Sequence, residues 1–236
     1  MNLSIVIPVY NEEENIEILV KELVTVLNTI TNNYEIIFID DGSTDRSFEK
    51  LLRLKNEYPI IKIVKFKKNA GQSAALAAGF QKAKNDIVIT LDADLQNDPA
   101  DIPKMLKKLE EGYDVVIGYR QNRQDSLIKK ISSIIGNFVR NTITKEKIKD
   151  TGCSLKVFKR EYLQKIFIFK GMHRFLPTLL KLTGAKLATI NVNHRERKYG
   201  ESKYGISNRM LSGLYDCISV RWLKKRYVYY EIEKEI

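Results

Sequence analysis

The N-terminal part of the chain alternates short β-branched runs with longer segments in which apolar residues recur at helical spacing. This alternation predicts strands over 3–7, 35–39, 60–66 and 87–91, and helices over 16–30, 48–54 and 73–84. Asn11, with Glu14 three residues later, predicts a capping box before the first helix. Strands joined by helices form a parallel sheet that binds ligands beyond the carboxyl ends of its strands. The sequence therefore predicts an α/β fold whose functional residues directly follow the strands.

Composition limits the class of protein. The chain has 236 residues, of which 44% are hydrophobic and 29% charged, which supports one sizeable core and argues against disorder. Cys153 and Cys217 lie far apart, which argues against a disulfide scaffold or a zinc ribbon. The net charge of +11 favours an anionic partner and leaves open whether this is nucleic acid, lipid or a phosphate ester.

Membrane and targeting signals are absent from the sequence pattern. The best candidates for a membrane span, 128–139 and 210–223, are too short and carry charged residues. The N-terminal run is typical of a first strand, since it lacks a basic leader before a long apolar stretch. We therefore expect a cytoplasmic protein, which is compatible with a position against the inner membrane surface.

Polar clusters follow three of the predicted strands, and they span 8–12, 40–45 and 92–96. In the last cluster Asp92 and Asp94 bracket Ala93, so in an extended segment both carboxylates fall on one face. Two carboxylates suit Mg²⁺ or Mn²⁺ and leave coordination positions for substrate phosphates. A solvated turn is the alternative interpretation, and the position at a strand end favours the metal site.

The adjacent acids Asp40 and Asp41 precede a turn-forming Gly-Ser pair, and Thr44 or Asp45 can cap the helix that follows. A turn alone does not explain two carboxylates at the mouth of a parallel sheet, where their repulsion requires a partner such as the donors of a base or a ribose. We therefore predict ligand contact in addition to the turn.

Several motifs occur together along the chain. They are Ser4-Ile5-Val6-Ile7-Pro8-Val9-Tyr10-Asn11-Glu12, Asp40-Asp41-Gly42-Ser43-Thr44-Asp45, Asn69-Ala70-Gly71-Gln72 and Asp92-Ala93-Asp94-Leu95-Gln96. This combination resembles the glycosyltransferase family 2 catalytic domain of the GT-A fold. A narrower resemblance, to dolichol-phosphate mannosyltransferases and polyprenyl-phosphate glycosyltransferases, rests on further motifs. These are Asp94-Leu95-Gln96 followed by Pro99, Gly118-Tyr119-Arg120, Asp150-Thr151-Gly152-Cys153 and Arg197-Lys198-Tyr199-Gly200-Glu201-Ser202-Lys203-Tyr204.

The resemblance implies transfer of a hexosyl group from GDP-mannose or a UDP-sugar to a polyprenyl or dolichyl phosphate, with Mg²⁺ or Mn²⁺ as cofactor. The residues that it places around the nucleotide sugar are Pro8, Tyr10, Glu12, Asp40, Asp41, Asp92, Ala93 and Arg120. Those that it places at the metal ion are Asp92, Asp94 and Gln96. Those that it places at the acceptor phosphate are Arg197, Ser202 and Lys203. Guanidinium and ammonium groups suit phosphate oxygens.

The implied mechanism is a single displacement that inverts the anomeric carbon. Its catalytic residues would be Asp94, Arg120, Asp150, Arg197 and Lys203. An acceptor phosphate is already an anion at neutral pH, so no strong general base is required. We therefore expect structural or orienting roles for the two histidines, His173 and His194. Asp150 either orients the acceptor or sugar, or caps the Thr-Gly turn that follows it.

Two rival functions come from different classes. A family 2 enzyme that glycosylates a glycan or glycolipid hydroxyl would need a carboxylate base, for which Asp150 is the candidate. The motif at 197–203 argues against this rival, because a neutral hydroxyl acceptor does not require a second set of basic side chains in addition to those that bind the donor. A nucleic-acid-binding protein would fit the net charge, but Asp92 and Asp94 would repel a phosphate backbone. We therefore expect no nucleic-acid partner.

Two amphipathic stretches indicate contact with an anionic membrane surface. The apolar residues of the first stretch are Leu127, Ile131, Ile134, Ile135 and Phe138, and those of the second are Ile206, Met210, Leu214, Ile218 and Trp222. Basic residues accompany both, namely Lys129, Lys130, Arg140, Arg221, Lys224, Lys225 and Arg226. An ordinary core helix is the alternative for the first stretch. We predict a catalytic domain over 1–205 and a membrane-proximal basic segment over 206–236, peripheral on the cytoplasmic face of the membrane.

Many bacterial relatives in this branch continue into transmembrane helices after the segment that matches 213–226, and this chain stops shortly beyond it. One expectation is a tail-less enzyme that relies on a small membrane-anchoring subunit or on a homo-oligomer. The other is a catalytic portion of a longer protein, and the sequence leaves both open.

Overall fold

The computed structural model describes residues 1–120, 127–146, 148, 150–197, 199, 207–228, 230 and 234, with the backbone alone described over 127–134 and 207–212. The strands are β1 (Leu3–Val9), β2 (Tyr34–Asp40), β3 (Ile61–Lys65), β4 (Ile87–Thr90), β5 (Val115–Arg120), β6 (Lys156–Lys159) and β7 (Leu187–Val192). The helices are α1 (Ile16–Asn28), α2 (Ser47–Glu57), α3 (Gln72–Lys82), α4 (Ile102–Glu110), α5 (Leu127–Thr144), α6 (Arg160–Leu163), α7 (Leu176–Leu182) and α8 (Ser207–Arg226). The predicted alternation up to β4 is confirmed.

The strands form a seven-stranded sheet with the order β3-β2-β1-β4-β6-β5-β7. Strand β1 is parallel to β2 and β4, β2 is parallel to β3, and β5 is parallel to β7. Among the strands of the described residues, β6 alone runs antiparallel to its neighbours. The predicted mostly parallel sheet is therefore confirmed. The strand order reverses beside β1, which is where sheets of this kind open a ligand crevice.

Both faces of the sheet are buried, as the nearly continuous apolar strands require. On one face the side chains of β1 pack with α1, and on the other Val6 packs with α3. The approach of α3 is so close that a Cβ on Gly79 would collide with Val6. Because α3 follows the parallel strand β3, its first turn lies at the carboxyl edge of the sheet, next to the polar clusters.

The predicted cap at Asn11 is wrong, because α1 begins after Asn15. Asn11 instead has a φ of 53°, and its backbone N–H donates to Ser43 Oγ at 3.0 Å. Its amide oxygen accepts a hydrogen bond from the Thr44 N–H at 2.8 Å. Asn11 therefore fastens the loop after β1 to the loop after β2. Asp45 behaves as predicted, since its carboxylate accepts a hydrogen bond from the first backbone N–H of α2.

Helices α5 and α8 pack against each other. Arg221 and Lys224 on α8 donate to main-chain carbonyls at the end of α5, at 3.1 and 2.9 Å, and Lys224 also pairs with Glu146 at 2.6 Å. None of the helices in the described part of the chain is long and apolar enough to cross a membrane. Residues 201–206 lie outside the described residues, so the division into 1–205 and 206–236 remains a prediction.

Candidate active site

The loops after β1 and β2 meet at the carboxyl edge of the sheet. Asp40 ends β2 and is fully buried, and its Oδ1 accepts a hydrogen bond from the Ser43 N–H at 2.9 Å. Its Oδ2 is buried as well and has no hydrogen-bond partner among the described residues. Such an oxygen is costly unless a ligand donates to it, so Asp40 is suited to the predicted nucleoside contact. Pro8 lies on the neighbouring strand, and Tyr10 and Glu12 follow it.

Asp41 holds a neighbouring loop. Its carboxylate accepts hydrogen bonds from the N–H groups of Ala70 and Gly71, at 2.7 and 2.8 Å, and from Asn69 Nδ2 at 3.0 Å. Burial raises the pKa of Asp41 against the opposing effect of the two backbone donors. The adjacent turn requires glycine, because Gly42 has a φ of 73° and a Cβ there would lie 2.7 Å from the Asn69 nitrogen. Direct contact of Asp41 with a nucleoside remains a prediction.

Asp92 and Asp94 follow β4 as predicted, but their segment bends instead of continuing as a strand. Leu95 has a φ of 61°, and Asp94 Oδ1 accepts a hydrogen bond from the Gln96 N–H at 3.2 Å. Ala93 is buried in the core. Loss of hydration, and next the negative charge of Asp94, raise the pKa of Asp92 to about 6. The expected extended segment is therefore wrong, whereas the two carboxylates lie close enough to interact.

The donor set at this bend fits a hard divalent cation. Two carboxylates that repel each other are stabilised by a shared cation, and Mg²⁺ and Mn²⁺ prefer oxygen ligands. In the described residues no group of three or more His, Cys, Asp or Glu side chains could hold a metal ion, so the fit rests on Asp92 and Asp94, with Gln96 beside them. A set of this size leaves coordination positions for substrate oxygens.

Asp92 has partners that sequence reasoning missed. Gln72 Nε2, at the start of α3, donates a hydrogen bond to Asp92 Oδ1 at 2.8 Å. A hydrogen bond from Ser154 and the positive charges of Lys156 and Arg120 oppose the rise in the pKa of Asp92. Lys156 is buried on β6, and burial lowers its pKa. Lys156 stands between the apolar residues Leu155 and Val157, and this was the available sequence signal for the buried charge.

Arg197 contacts the carboxylate pair directly, since its Nη2 lies 2.6 Å from Asp94 Oδ2. The Asp94 side chain is 9% exposed and that of Arg197 is 28% exposed, so the carboxylate is buried while the guanidinium stays partly accessible to water. The sequence assigned the two residues to different ligands, namely the metal ion and the acceptor phosphate. Ser202 and Lys203, the other predicted acceptor residues, lie outside the described residues.

The segment that carries Arg197 is fixed by its neighbour Arg195. The Arg195 N–H donates to the Gln96 carbonyl at 3.0 Å. Its guanidinium pairs with Glu22 at 2.7 Å and with Asp98 at 2.6 Å. Because these partners lie on α1 and in the loop after β4, the chain is held beside the carboxylate pair two residues before Arg197.

Arg120 and Asp150 form a two-point ion pair. Arg120 Nε and Nη2 lie 2.8 and 2.9 Å from the two oxygens of the Asp150 carboxylate. Asp150 Oδ1 also accepts a hydrogen bond from the Gly152 N–H at 3.0 Å, so the predicted cap of the turn is present. A Cβ on Gly152 would lie 2.9 Å from Arg120 Nη2, so a larger residue there would shift the guanidinium. Asp150 therefore has two roles, since it orients Arg120 and also caps the turn that follows it.

Both histidines contact other elements of the fold. His173 Nδ1 lies 2.8 Å from the Oγ of Ser73 on α3. The next residue, Arg174, pairs with Asp216 on α8 at 3.0 Å. His194 forms an isolated β-bridge with the loop that follows β4. These contacts agree with the expectation of structural or orienting roles.

The site thus combines a carboxylate pair at the carboxyl edge of a mostly parallel sheet with a buried acid, Asp40, whose Oδ2 has no hydrogen-bond partner among the described residues. The family model of glycosyl transferase family 2 matches residues 4–167. The chain belongs to this family. The matched part of this glycosyltransferase contains Asp40, Asp92, Asp94 and the Arg120–Asp150 pair, and Arg197 lies beyond it.

Similar curated proteins are undecaprenyl-phosphate 4-deoxy-4-formamido-L-arabinose transferases. The one from Photorhabdus laumondii is 39% identical over 219 residues, covering 92% of this chain and 67% of its own length. The one from Salmonella choleraesuis is also 39% identical over 219 residues, covering 92% of this chain and 66% of its own length. The glycosyltransferase thus spans about two thirds of the length of these relatives.

Solved structures confirm the GT-A fold of the glycosyltransferase. Glucosyl-3-phosphoglycerate synthase from Mycobacterium tuberculosis, in complex with Mn²⁺, UDP-glucose and phosphoglyceric acid, has a TM-score of 0.69 at 18% identity, covering 92% of this chain and 80% of that one. A mannosyltransferase from Pyrobaculum calidifontis, in complex with GDP-Man and Mn²⁺, has a TM-score of 0.63 at 21% identity, covering 83% of this chain and 56% of that one. At these identities the likeness concerns the fold alone.

Proposed function

We propose that this glycosyltransferase moves a sugar from a nucleotide sugar to the phosphate of a polyprenyl phosphate at the cytoplasmic face of a membrane. The observation that carries the proposal is the guanidinium of Arg197 at 2.6 Å from Asp94. It supplies a cation, suited to a phosphate, directly beside the carboxylates that fit the donor's metal ion. The names of the 39% identical relatives support the same acceptor class. Those names specify an arabinose derivative, which is a pentose. The proposed class of donor sugars therefore includes pentoses as well as the hexoses expected above.

The chemistry that follows needs no proton acceptor. An oxygen of the acceptor phosphate attacks the anomeric carbon, the bond from that carbon to the nucleoside diphosphate breaks, and the configuration inverts. Asp40 would accept a hydrogen bond from the nucleoside, and Arg197 would hold the attacking phosphate in line. Arg120, oriented by Asp150, would stabilise the departing diphosphate. A bound Mg²⁺ or Mn²⁺, held by Asp92, Asp94 and Gln96, would neutralise charge on the diphosphate.

The rival acceptor, a neutral hydroxyl, requires a carboxylate that removes a proton. Asp150 was the candidate for that base. Both of its oxygens already accept hydrogen bonds from Arg120, and one accepts a further bond from the Gly152 N–H. With the Arg120 backbone N–H at 3.3 Å from Oδ2, four donors occupy a carboxylate that offers about four acceptor positions, so none is left for the proton of a hydroxyl. The ion pair therefore favours the phosphate acceptor.

Exposed apolar side chains on α5 and α8 support attachment to an anionic membrane. They are Ile135, Phe138 and Val139 on α5, and Leu214, Tyr215, Ile218 and Trp222 on α8. Their exposure favours an interfacial role over the core-helix alternative for α5. Two of the basic residues of α8, Arg221 and Lys224, are bound to the end of α5, whereas Lys225 and Arg226 are exposed beside the apolar side chains.

Phe138→Ser and Trp222→Ser are each expected to weaken binding to vesicles of phosphatidylcholine and phosphatidylglycerol by about tenfold, since each removes about 1.4 kcal/mol or more of apolar burial. These side chains are 71% and 64% exposed. Leu52→Ser, an exposed apolar side chain on α2, is the matched control and should leave binding unchanged. Co-sedimentation measures the affinity. Unchanged binding in both variants would refute the proposal that these side chains bind a membrane. If Trp222→Ser instead abolished a dimer, the exposed apolar surface would be an interface with a second copy of the chain.

The acceptor is tested with two substrates that differ only in the phosphate, undecaprenyl phosphate and undecaprenol. Each is incubated in detergent with Mg²⁺ or Mn²⁺ and a panel of radiolabelled GDP- and UDP-sugars. We expect an organic-extractable product from one donor with the phosphate and none with the alcohol, because the nucleophile must already be an anion. A product from undecaprenol would overturn the proposed acceptor while leaving the glycosyltransferase assignment intact.

A further inference from the structure

The first residue of α3, Gln72, joins the two halves of the donor site and has no role in the function described above. Its Nε2 donates to Asp92 Oδ1 at 2.8 Å. The residues before it are held by the Asp41 carboxylate, which accepts hydrogen bonds from Ala70 and Gly71. The residue after it, Ser73, accepts a hydrogen bond from the Gly171 N–H at 3.0 Å. The backbone that carries the amide is therefore fixed on both sides.

A carboxylate in the position of Asp92 needs such a contact. The negative charge of Asp94 pushes the two side chains apart, and rotation about the side-chain bonds of Asp92 would relieve the repulsion. An amide N–H bound to Oδ1 opposes that rotation. Partners of this kind beyond the metal ligands typically change metal affinity or activity by about 10–100-fold when they are removed.

We propose that Gln72 is a positioning residue that orients Asp92 for binding of a divalent cation. The inference rests on the proposed role of Asp92 and Asp94 as cation ligands and adds a residue to that site. The plain alternative is that Gln72 serves only the packing at the start of α3. Gln72→Met distinguishes the two roles, because it keeps the volume of the side chain and removes its N–H donor. A positioning role predicts weaker cation binding in this variant, whereas a packing role predicts unchanged binding.

The test measures Mn²⁺ affinity by the loss of the free-ion electron paramagnetic resonance signal, with Mn²⁺ alone and with UDP or GDP. Gln72→Ala and Gln72→Met are compared with the wild-type chain. Gln81→Ala and Gln81→Met are the matched controls, since Gln81 lies on the same helix and is exposed. We expect the Kd for Mn²⁺ to rise by about tenfold in both Gln72 variants and to stay unchanged in the controls. Excess Mn²⁺ should restore most of the lost transfer, so the Mn²⁺ requirement changes more than kcat.

The outcomes separate the inference from the proposed function. If wild type binds Mn²⁺, Asp94→Asn does not, and Gln72→Met binds as tightly as wild type, Gln72 has no positioning role and the cation site stands. If wild type binds no Mn²⁺ under any of the three conditions, the cation site is wrong and the inference falls with it. A lower melting temperature with unchanged Mn²⁺ affinity would assign Gln72 to packing.

Discussion

Asp94→Asn is expected to lower kcat/KM for glycosyl transfer by about a thousandfold, because the loss of one charged ligand removes several kcal/mol of charge stabilisation at the diphosphate. Asparagine keeps the size of the side chain, so the bend after β4 can remain intact. The neutral amide binds a divalent cation weakly and no longer offsets the charge of Arg197, which lies 2.6 Å away in the native protein. Binding of Mn²⁺ should be lost together with transfer.

The matched control is Asp86→Asn, the same substitution at an exposed residue just before β4, at the opposite end of that strand. It should leave transfer and Mn²⁺ binding unchanged. Activity is measured with the lipid phosphate assay described above, binding by paramagnetic resonance, and folding by thermal melting of both variants. If Asp94→Asn folds normally and retains a tenth of the native activity, Asp94 is not a ligand on which the reaction depends.

The fold could be predicted from the sequence because both faces of the sheet are buried, which makes the strands read as continuous apolar runs. The first residue of α1 could not be predicted. Asn11 is a residue type that often caps helices, but here its side chain and backbone bind the loop after β2. The bend after β4 was missed for a similar reason. Leu95 adopts a φ of 61°, a conformation that a leucine gives no reason to expect.

The residues of the candidate site could be found from the sequence, and their pairings could not. Asp92 and Asp94 stand out because they follow a predicted strand. Gln72 lies 20 positions from Asp92 along the chain, and Arg197 lies 103 positions from Asp94. Contacts over such separations depend on how the sheet orders its strands, and β4 lies between β1 and β6 in an order that spacing does not reveal. Pattern therefore locates the ligands, and the fold decides which residues orient them.

Arg197→Ala is expected to change two properties in opposite directions. Transfer to the lipid phosphate should fall by about a hundredfold, since charge-assisted hydrogen bonds to a phosphate contribute about 1.5–3 kcal/mol. Binding of Mn²⁺ should become tighter by about fivefold, since an ion pair of this exposure contributes about 1 kcal/mol and Arg197 competes with the cation for Asp94. A residue that served only the fold would weaken both properties or neither.

Transfer and Mn²⁺ affinity change in opposite directions because the Arg197 guanidinium has two partners, Asp94 and the acceptor phosphate. In the structure Arg197 neutralises Asp94, and a cation bound there would take over that role and leave the guanidinium to the acceptor phosphate. The lysine of Arg197→Lys should still compete with the cation for Asp94, but it cannot bind a phosphate through two parallel N–H groups. Its rate of transfer should therefore lie between those of wild type and Arg197→Ala. Arg53→Ala, which removes an exposed arginine on α2, is the control for loss of charge. Transfer and Mn²⁺ affinity that fall together in Arg197→Ala would show that the arginine supports the cation site instead of competing for it.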